Sequence, residues 1–267
     1  MECNILNIKQ KIGDPLNIHV YSDIHGKWDR VLPHMRERAK MPNSRFIMLG
    51  DNDDWILAKD PRYQASKIPK DLLGVDDYID AAVEQQYETL KDFEFLFISQ
   101  GNHDWEMLNR HATSPTARLA RRLGCLWGGW SGFLRICFRT EGSGQTKATF
   151  TLLYHHGGSA GAVTKGMPWA QRFAAGWEGW DVFCFGHTHQ LWCDHTSYGY
   201  MTQKGTLSKR DRWIVNTGTW LESYEQGGSP SYGERRGYKP VAIAAPTIQV
   251  TPMRNNLPRV RVTLGNG

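Results

Sequence analysis

The 267-residue chain is 40% hydrophobic and 22% charged, which excludes a disordered polypeptide and suffices for one large core or two small ones. Its net charge of +5 and pI of about 8.9 are mildly basic, which suits an anionic substrate without requiring one. Five cysteines (Cys3, Cys125, Cys137, Cys184 and Cys193) with no Cys-x-x-Cys spacing speak against a disulfide framework or structural zinc site.

Residues 1–16 read as a short irregular opening with Gly13 and Pro15; Met1-Glu-Cys-Asn-Ile-Leu-Asn7 lacks the basic-then-apolar layout of a signal peptide. Residues 17–22 alternate as a strand, 27–40 as a helix that Pro33 weakens or kinks, and 45–49 as a second strand, together a βαβ unit. Residues 54–75 show no period and read as a long loop. The clearest helix is 76–92, with Tyr78, Ile79, Ala82, Val83, Tyr87 and Leu90 near helical spacing. A strand follows at 95–99, then a short helix at 115–123 with Arg118, Arg121 and Arg122 on one face.

Glycine-broken β structure at 125–139, a turn at 141–145 and a strand at 148–154 suggest antiparallel pairing after the βα half. A helix interrupted by Pro168 is expected within 160–178, then strands at 181–185, 190–196 and 212–219. The stretch 225–240 reads as loosely packed, and a closing strand is expected at 259–264. No apolar run approaches the ~20 residues that span a bilayer, so the chain reads as soluble, cytoplasmic and without a membrane partner. No internal repeat or convincing linker divides it. The expectation is one domain over 1–267, with a core at about 17–220 and a C-terminal extension at 221–267.

Five of the apolar runs end alike. Asn17-Ile-His-Val-Tyr-Ser22 delivers Asp23 and His25; Arg45-Phe-Ile-Met-Leu49 delivers Gly50-Asp51-Asn52-Asp53. Phe95-Leu-Phe-Ile-Ser99 leads to Gly101-Asn102-His103-Asp104, Phe150-Thr-Leu-Leu-Tyr154 to His155-His156-Gly157, and Asp181-Val-Phe-Cys-Phe185 to Gly186-His187-Thr188-His189. Open α/β sheets place their chemistry at the carboxyl ends of strands. Asp, Asn and His are the oxygen and nitrogen donors that divalent transition metals take. In extended backbone, residues two apart face one side, so Asp23 with His25, and His187 with His189, can each converge on one ion.

Asp23, His25, Asp51, Asn102, one of His155 and His156, His187 and His189 make seven donors, too many for one tetrahedral zinc site. They suit two ions sharing a carboxylate. Such a pair clamps the attacking and leaving oxygens of an in-line displacement and acidifies a bridging water to the hydroxide that attacks a phosphoester.

In this order and with these intervals, Asp23-x-His25, Gly50-Asp51, Gly101-Asn102-His103-Asp104, His155-His156 and Gly186-His187-x-His189 resemble the calcineurin-like metallophosphoesterase superfamily, over residues about 17 to 220. The resemblance implies an α/β fold in which two mixed β-sheets pack as a sandwich flanked by helices. It also implies two divalent ions, among Mn, Fe, Zn, Co and Ni. Asp23, His25 and His189 would hold the first, Asp51 would bridge, and Asn102, His187 and one of the adjacent pair would hold the second. Relatives usually carry that ligand directly before a glycine, which favours His156; standing directly after the strand speaks for His155. His103 would face the substrate as a catalytic group, oriented by Asp104.

Where protein serine/threonine phosphatases continue Gly-Asp with Val-Asp-Arg-Gly, this chain has Asn52-Asp53-Asp54-Trp55, which disfavours that activity. The short motifs resemble compact bacterial or bacteriophage enzymes. Asp54 reads as a turn residue, and Asn216-Thr217-Gly218 as architecture. Lys165 and Arg172 are candidates for a substrate phosphate, with solvent exposure the plainer reading.

The expected activity is hydrolysis of a phosphomono- or phosphodiester. The alternative is a nuclease acting on DNA or RNA, which the basicity and eleven Trp permit. A non-catalytic binding protein of the same fold would show lost ligands, and every position here is filled.

Overall fold

The computed structural model describes residues 1–55, 77–139, 145–158, 164–224, 231–253 and 257–265. The expected loop at 54–75 and turn at 141–145 lie mostly outside the described residues, as does part of the stretch 225–240.

Two six-stranded mixed sheets face each other. One takes β2 (Leu16–Tyr21), β3 (Ser44–Leu49), β4 (Phe95–Ser99) and β5 (Leu126–Trp127) in parallel, and extends past β2 through antiparallel β11 (Pro246–Thr251) and β12 (Arg259–Leu264). The other has the order β1 (Glu2–Lys9), β6 (Ser131–Arg139), β7 (Thr146–His155), β8 (Val182–Phe185), β10 (Leu207–Thr217), β9 (Leu191–Met201), with β7, β8 and β10 parallel. The expected sandwich of two mixed sheets flanked by helices is thus the observed architecture.

Period-2 alternation sorts each strand between two apolar layers. Ile18, Val20, Ile47 and Leu49 meet Leu152, Tyr154, Val182 and Cys184 between the sheets. The opposite faces of the first sheet, Tyr21, Phe46 and Met48, pack on α1 (Trp28–Ala39), α2 (Tyr78–Leu90) and α4 (Pro115–Leu123) through Val31, Met35, Val83, Leu90 and Leu119. The outer face of the second sheet, Leu153, Phe183 and Phe185, is covered by Ala170 and Ala174 of α5 (Met167–Ala175). Burying each of these large side chains contributes about 1.5–3 kcal/mol.

Helix boundaries follow local chemistry. Ser114 caps α4 by accepting from the Ala117 N–H at 3.2 Å, Pro115 opens it, and Gly124 closes it at φ 69°. Pro33 lies inside α1 without ending it.

Four features depart from the expectations. The opening is not irregular: Glu2–Lys9 forms β1, paired in parallel with β6. A helix, α3 (Asn102–His111), starts directly on the Asn102-His103-Asp104 run. Strands β9 and β10 extend far past the expected 190–196 and 212–219 into a long hairpin. An additional strand, β11 (Pro246–Thr251), pairs with β2, and the strand expected at 259–264 forms as β12 on its outer side. A four-residue helix, α6 (Tyr232–Arg235), lies on the way to them. Among the described residues no helix is long and apolar enough to cross a membrane.

Candidate metal centre

The carboxyl ends of β2, β3 and β4 from one sheet, and of β7 and β8 from the other, meet along one lip of the sandwich. Their side chains form three overlapping groups: Asp23, His25 and His189; His25, Asp51 and His103; and Asp51, His156 and His187. Within each group the donor atoms lie within 4.8 Å of one another. His25 and Asp51 each belong to two groups, so the three groups are linked in a row.

The local backbone is unusual. Asp23, His25, Asp51, His187 and His189 all adopt left-handed φ, between 50° and 65°. Each such residue costs of order 1–3 kcal/mol and persists where surrounding structure enforces it. Here the enforcement is visible. Asp23 Oδ2 accepts from the His187 N–H at 2.8 Å and from the Ser22 hydroxyl at 2.6 Å, and its own carbonyl accepts from the Trp220 N–H at 3.1 Å and the Thr219 hydroxyl at 3.0 Å. Asp51 Oδ1 accepts from the His103 N–H at 2.9 Å.

Two motif glycines are explained by these carboxylates. A Cβ on Gly101 would stand 2.1 Å from Asp51 Oδ1, and one on Gly186 would stand 2.6 Å from Asp23 Oδ2. The glycine makes room for the charge.

The free donor atoms point inward. His156 is fully buried; its Nδ1–H donates to the Leu49 carbonyl at 2.8 Å, leaving the Nε2 lone pair facing Asp51 Oδ2 at 3.3 Å and Asn102 Oδ1 at 3.0 Å. Three acceptors that converge this closely call for a cation. His25 repeats the arrangement: Nδ1 lies 2.6 Å from Asp54 Oδ1, while Nε2 stands 3.3 Å from His189 Nε2 and 3.9 Å from Asp23 Oδ1. Asp23 Oδ1 is itself buried and accepts no hydrogen bond, a costly state for a carboxylate oxygen unless a cation meets it. The donor set, mixed carboxylate, amide and imidazole, fits divalent transition metals.

The electrostatics agree. Burial alone would raise Asp23, yet the facing His189, with His156 and His25, holds it below the usual carboxylate range. Burial would lower His156, but the Asp51 and Asp23 charges raise it to about 9, so a proton on Nε2 and a metal ion compete for the same negative field. Burial and the His156 charge lower His187.

His155 is placed differently. Its ring packs against Trp169 and Phe173 at 5.2 and 4.8 Å, and its Nδ1 accepts the Gly157 N–H at 2.9 Å. Of the adjacent pair, only His156 belongs to the donor groups.

The family profile of calcineurin-like phosphoesterases matches residues 16–191, which hold every one of these donors. The chain belongs to the calcineurin-like phosphoesterase family. No curated protein gives a significant match. Among solved structures, an archaeal phosphodiesterase aligns over 94% of this chain and 100% of its own at 12% identity and a TM-score of 0.43. A metallophosphoesterase from Sphaerobacter thermophilus aligns over 93% and 87% at 16% identity and a TM-score of 0.38. Vps29 of Chaetomium thermophilum aligns over 94% and 97% at 13% identity and a TM-score of 0.33.

Several supporting residues escape sequence reasoning. Asp54, read as a turn, holds His25 and lies 3.5 Å from His103 Nδ1. Asp104 does not orient the His103 ring as expected. Its Oδ2 accepts from the Gly101 and Asp51 N–H groups at 2.7 and 3.2 Å, and its Oδ1 from the Trp55 indole at 2.7 Å, so it fixes the backbone that carries Asp51. Burial first, then the Asp51 charge, pushes Asp104 up to about 7. His103 Nδ1 instead faces the Asp54 carbonyl at 3.2 Å.

Asp53 lies half-buried against Gly26 and takes a hydrogen bond from Gln86 at 3.2 Å. The expected strut at 216–218 does brace the lip, with the Thr217 hydroxyl donating to the Phe185 carbonyl at 3.1 Å. Lys165 and Arg172 are exposed. The only available signal for Asp54 was its place in the polar run after Asp51.

Proposed function

We propose that this phosphoesterase hydrolyses a phosphomono- or phosphodiester at a dinuclear centre. The convergence of seven donor side chains, with Asp51 grouped with His25 on one side and with His156 and His187 on the other, carries the reading. Asp23, His25 and His189 would hold one ion; Asn102, His156 and His187 would hold the other; Asp51 would bridge. Two divalent ions so placed supply an acidified water and a clamp on the phosphoryl oxygens.

The chain's own groups do the rest. His103 Nε2 stands 4.0 Å from Asp51 Oδ2, at the edge of the site, while its Nδ1 faces Asp54. A His103 protonated at both nitrogens keeps one N–H on Asp54 and presents the other to the leaving oxygen, so it donates the proton that the departing alkoxide needs. Asp54 steadies that cation and fixes the His25 ring. Asp104 locks the Gly101 and Asp51 amides so that the bridging carboxylate cannot drift.

The test uses protein stripped with chelator and reloaded with Mn²⁺, an aryl phosphodiester and its monoester, and a His103→Asn variant beside the wild type. The expected outcome is binding of two ions per chain and hydrolysis that needs both metal and His103. Metal-independent turnover, or full activity in His103→Asn, would overturn the assignment.

A further inference from the structure

Two tryptophans stand beside the donor group of Asp51, His156 and His187 and are not part of it. Trp105 lies three residues after Asn102 on α3, so the two side chains occupy adjacent helical positions. Its ring meets Trp130 edge to face at 6.4 Å, and the Trp130 ring meets His156 at 5.4 Å. The chain of contacts therefore runs from the donor His156 through Trp130 to Trp105. Trp130 is half-buried; Trp105 is 43% exposed although it sits at the site's edge. An indole this exposed adds little to the core, and Met107 rather than Trp105 is the apolar side chain α3 buries. The two rings form an uncharged, aromatic ledge that runs from His156 out to the exposed Trp105.

We propose that this ledge is a stacking subsite for the nucleobase of a nucleotide-type phosphoester. The inference rests on the phosphoesterase reading above. A flat ring attached directly to the phosphate would lie against Trp130 and His156. A ring held off by a sugar reaches the exposed Trp105. Base–indole stacking is tolerant of base identity, because every base offers a π-face, and a stacked base strengthens binding by about tenfold or more. The subsite selects for the presence of a base, not for its sequence.

Isothermal titration of the Mn²⁺-loaded His103→Asn variant, in which turnover is blocked, with thymidine 5′-monophosphate, deoxyribose 5-phosphate and phenyl phosphate tests this. The nucleotide is expected to bind at least about tenfold more tightly than the sugar phosphate. Trp105→Ala brings it down to the sugar phosphate's level, and Trp105→Phe restores most of the difference. Equal affinities for nucleotide and sugar phosphate, or an unchanged nucleotide affinity in Trp105→Ala, overturn the proposal. So does tighter binding of phenyl phosphate, which would make the ledge an aryl-ester site. Hydrolysis of methyl p-nitrophenyl phosphate by the wild type is measured in parallel. Turnover without a base advantage removes the subsite and keeps the phosphoesterase. A base advantage without turnover keeps the subsite and removes the phosphoesterase.

Discussion

Replacing Gly101 by Ala exchanges one hydrogen for a methyl group and should disable the site. The backbone at Gly101 has φ −110° and ψ −167°, which alanine adopts without strain, so the effect is purely one of space. The new Cβ would stand 2.1 Å from Asp51 Oδ1, 2.6 Å from its Cγ and 2.6 Å from its N. Ordinary contact begins at 3.4 Å, so the carboxylate and α3 must part by about 1.3 Å. The carboxylate has no slack, because Oδ1 accepts from the His103 N–H and Oδ2 faces His156. A displacement of this size at a reacting centre costs on the order of 100-fold, and the strain costs about 1–3 kcal/mol of stability.

The assay is kcat/KM for an aryl phosphodiester at saturating Mn²⁺, with ion content by mass spectrometry and Tm by circular dichroism. Gly199→Ala on β9 is the control; its nearest neighbour would be Leu207 Cδ1 at 3.6 Å. Gly101→Ala that folds, binds two ions and keeps activity within threefold of wild type would refute the reasoning that the glycine exists to seat Asp51.

Three further outcomes follow from the geometry. His156→Ala should lose an ion and at least about 100-fold in kcat/KM, whereas His155→Phe, whose ring can still pack on Trp169 and Phe173, should retain both ions; ion content measured on the two variants separates the adjacent histidines. Asp54→Ala removes the acceptor from His25 Nδ1 and should weaken Mn²⁺ binding by about 10–100-fold while the fold survives, as calorimetry with the metal would show.

The remaining outcome concerns pH. His19 is buried between Thr247 and Ser44, and burial, with the Arg38 and His34 charges, lowers it from 6.5 to about 4. The unfolded imidazole binds a proton below 6.5 and the folded one does not, so this stability is full above pH 6.5 and is lost as pH falls toward 4. Urea midpoints should show wild type losing about 2 kcal/mol more than His19→Gln between pH 7 and 5.

The donors were legible because each stands where an apolar run stops, and a buried strand announces both its length and its end. Sequence reasoning misses what depends on distant partners. Strand β1 carries Asn and apolar residues on both faces, and its order comes from β6, more than a hundred residues away. Helix α3 opens on polar residues chosen for the site, and only Asp104 and Met107 are buried, so no apolar period marks it. The outer half of the β9–β10 hairpin exposes Met201 and Leu207 and loses the alternation of a half-buried sheet. Asp104 shows a different limit. Its neighbour in sequence is His103, but a carboxylate at the third position of a helix turns back to the amide that precedes it, and the ring beside it is left to Asp54.

Two of the three donor groups draw on both sheets: Asp23 and His25 follow β2 while His189 follows β8, and Asp51 follows β3 while His156 and His187 follow β7 and β8. An ion bound there is therefore a rivet across the mouth of the sandwich. Whatever free energy it gains by binding the closed lip is added to the cohesion of the two halves, in proportion to the logarithm of metal concentration. Metal supply would then set how tightly the molecule is shut as well as whether it turns over, and the five left-handed residues at the lip would be held in place by the cargo they are shaped to receive.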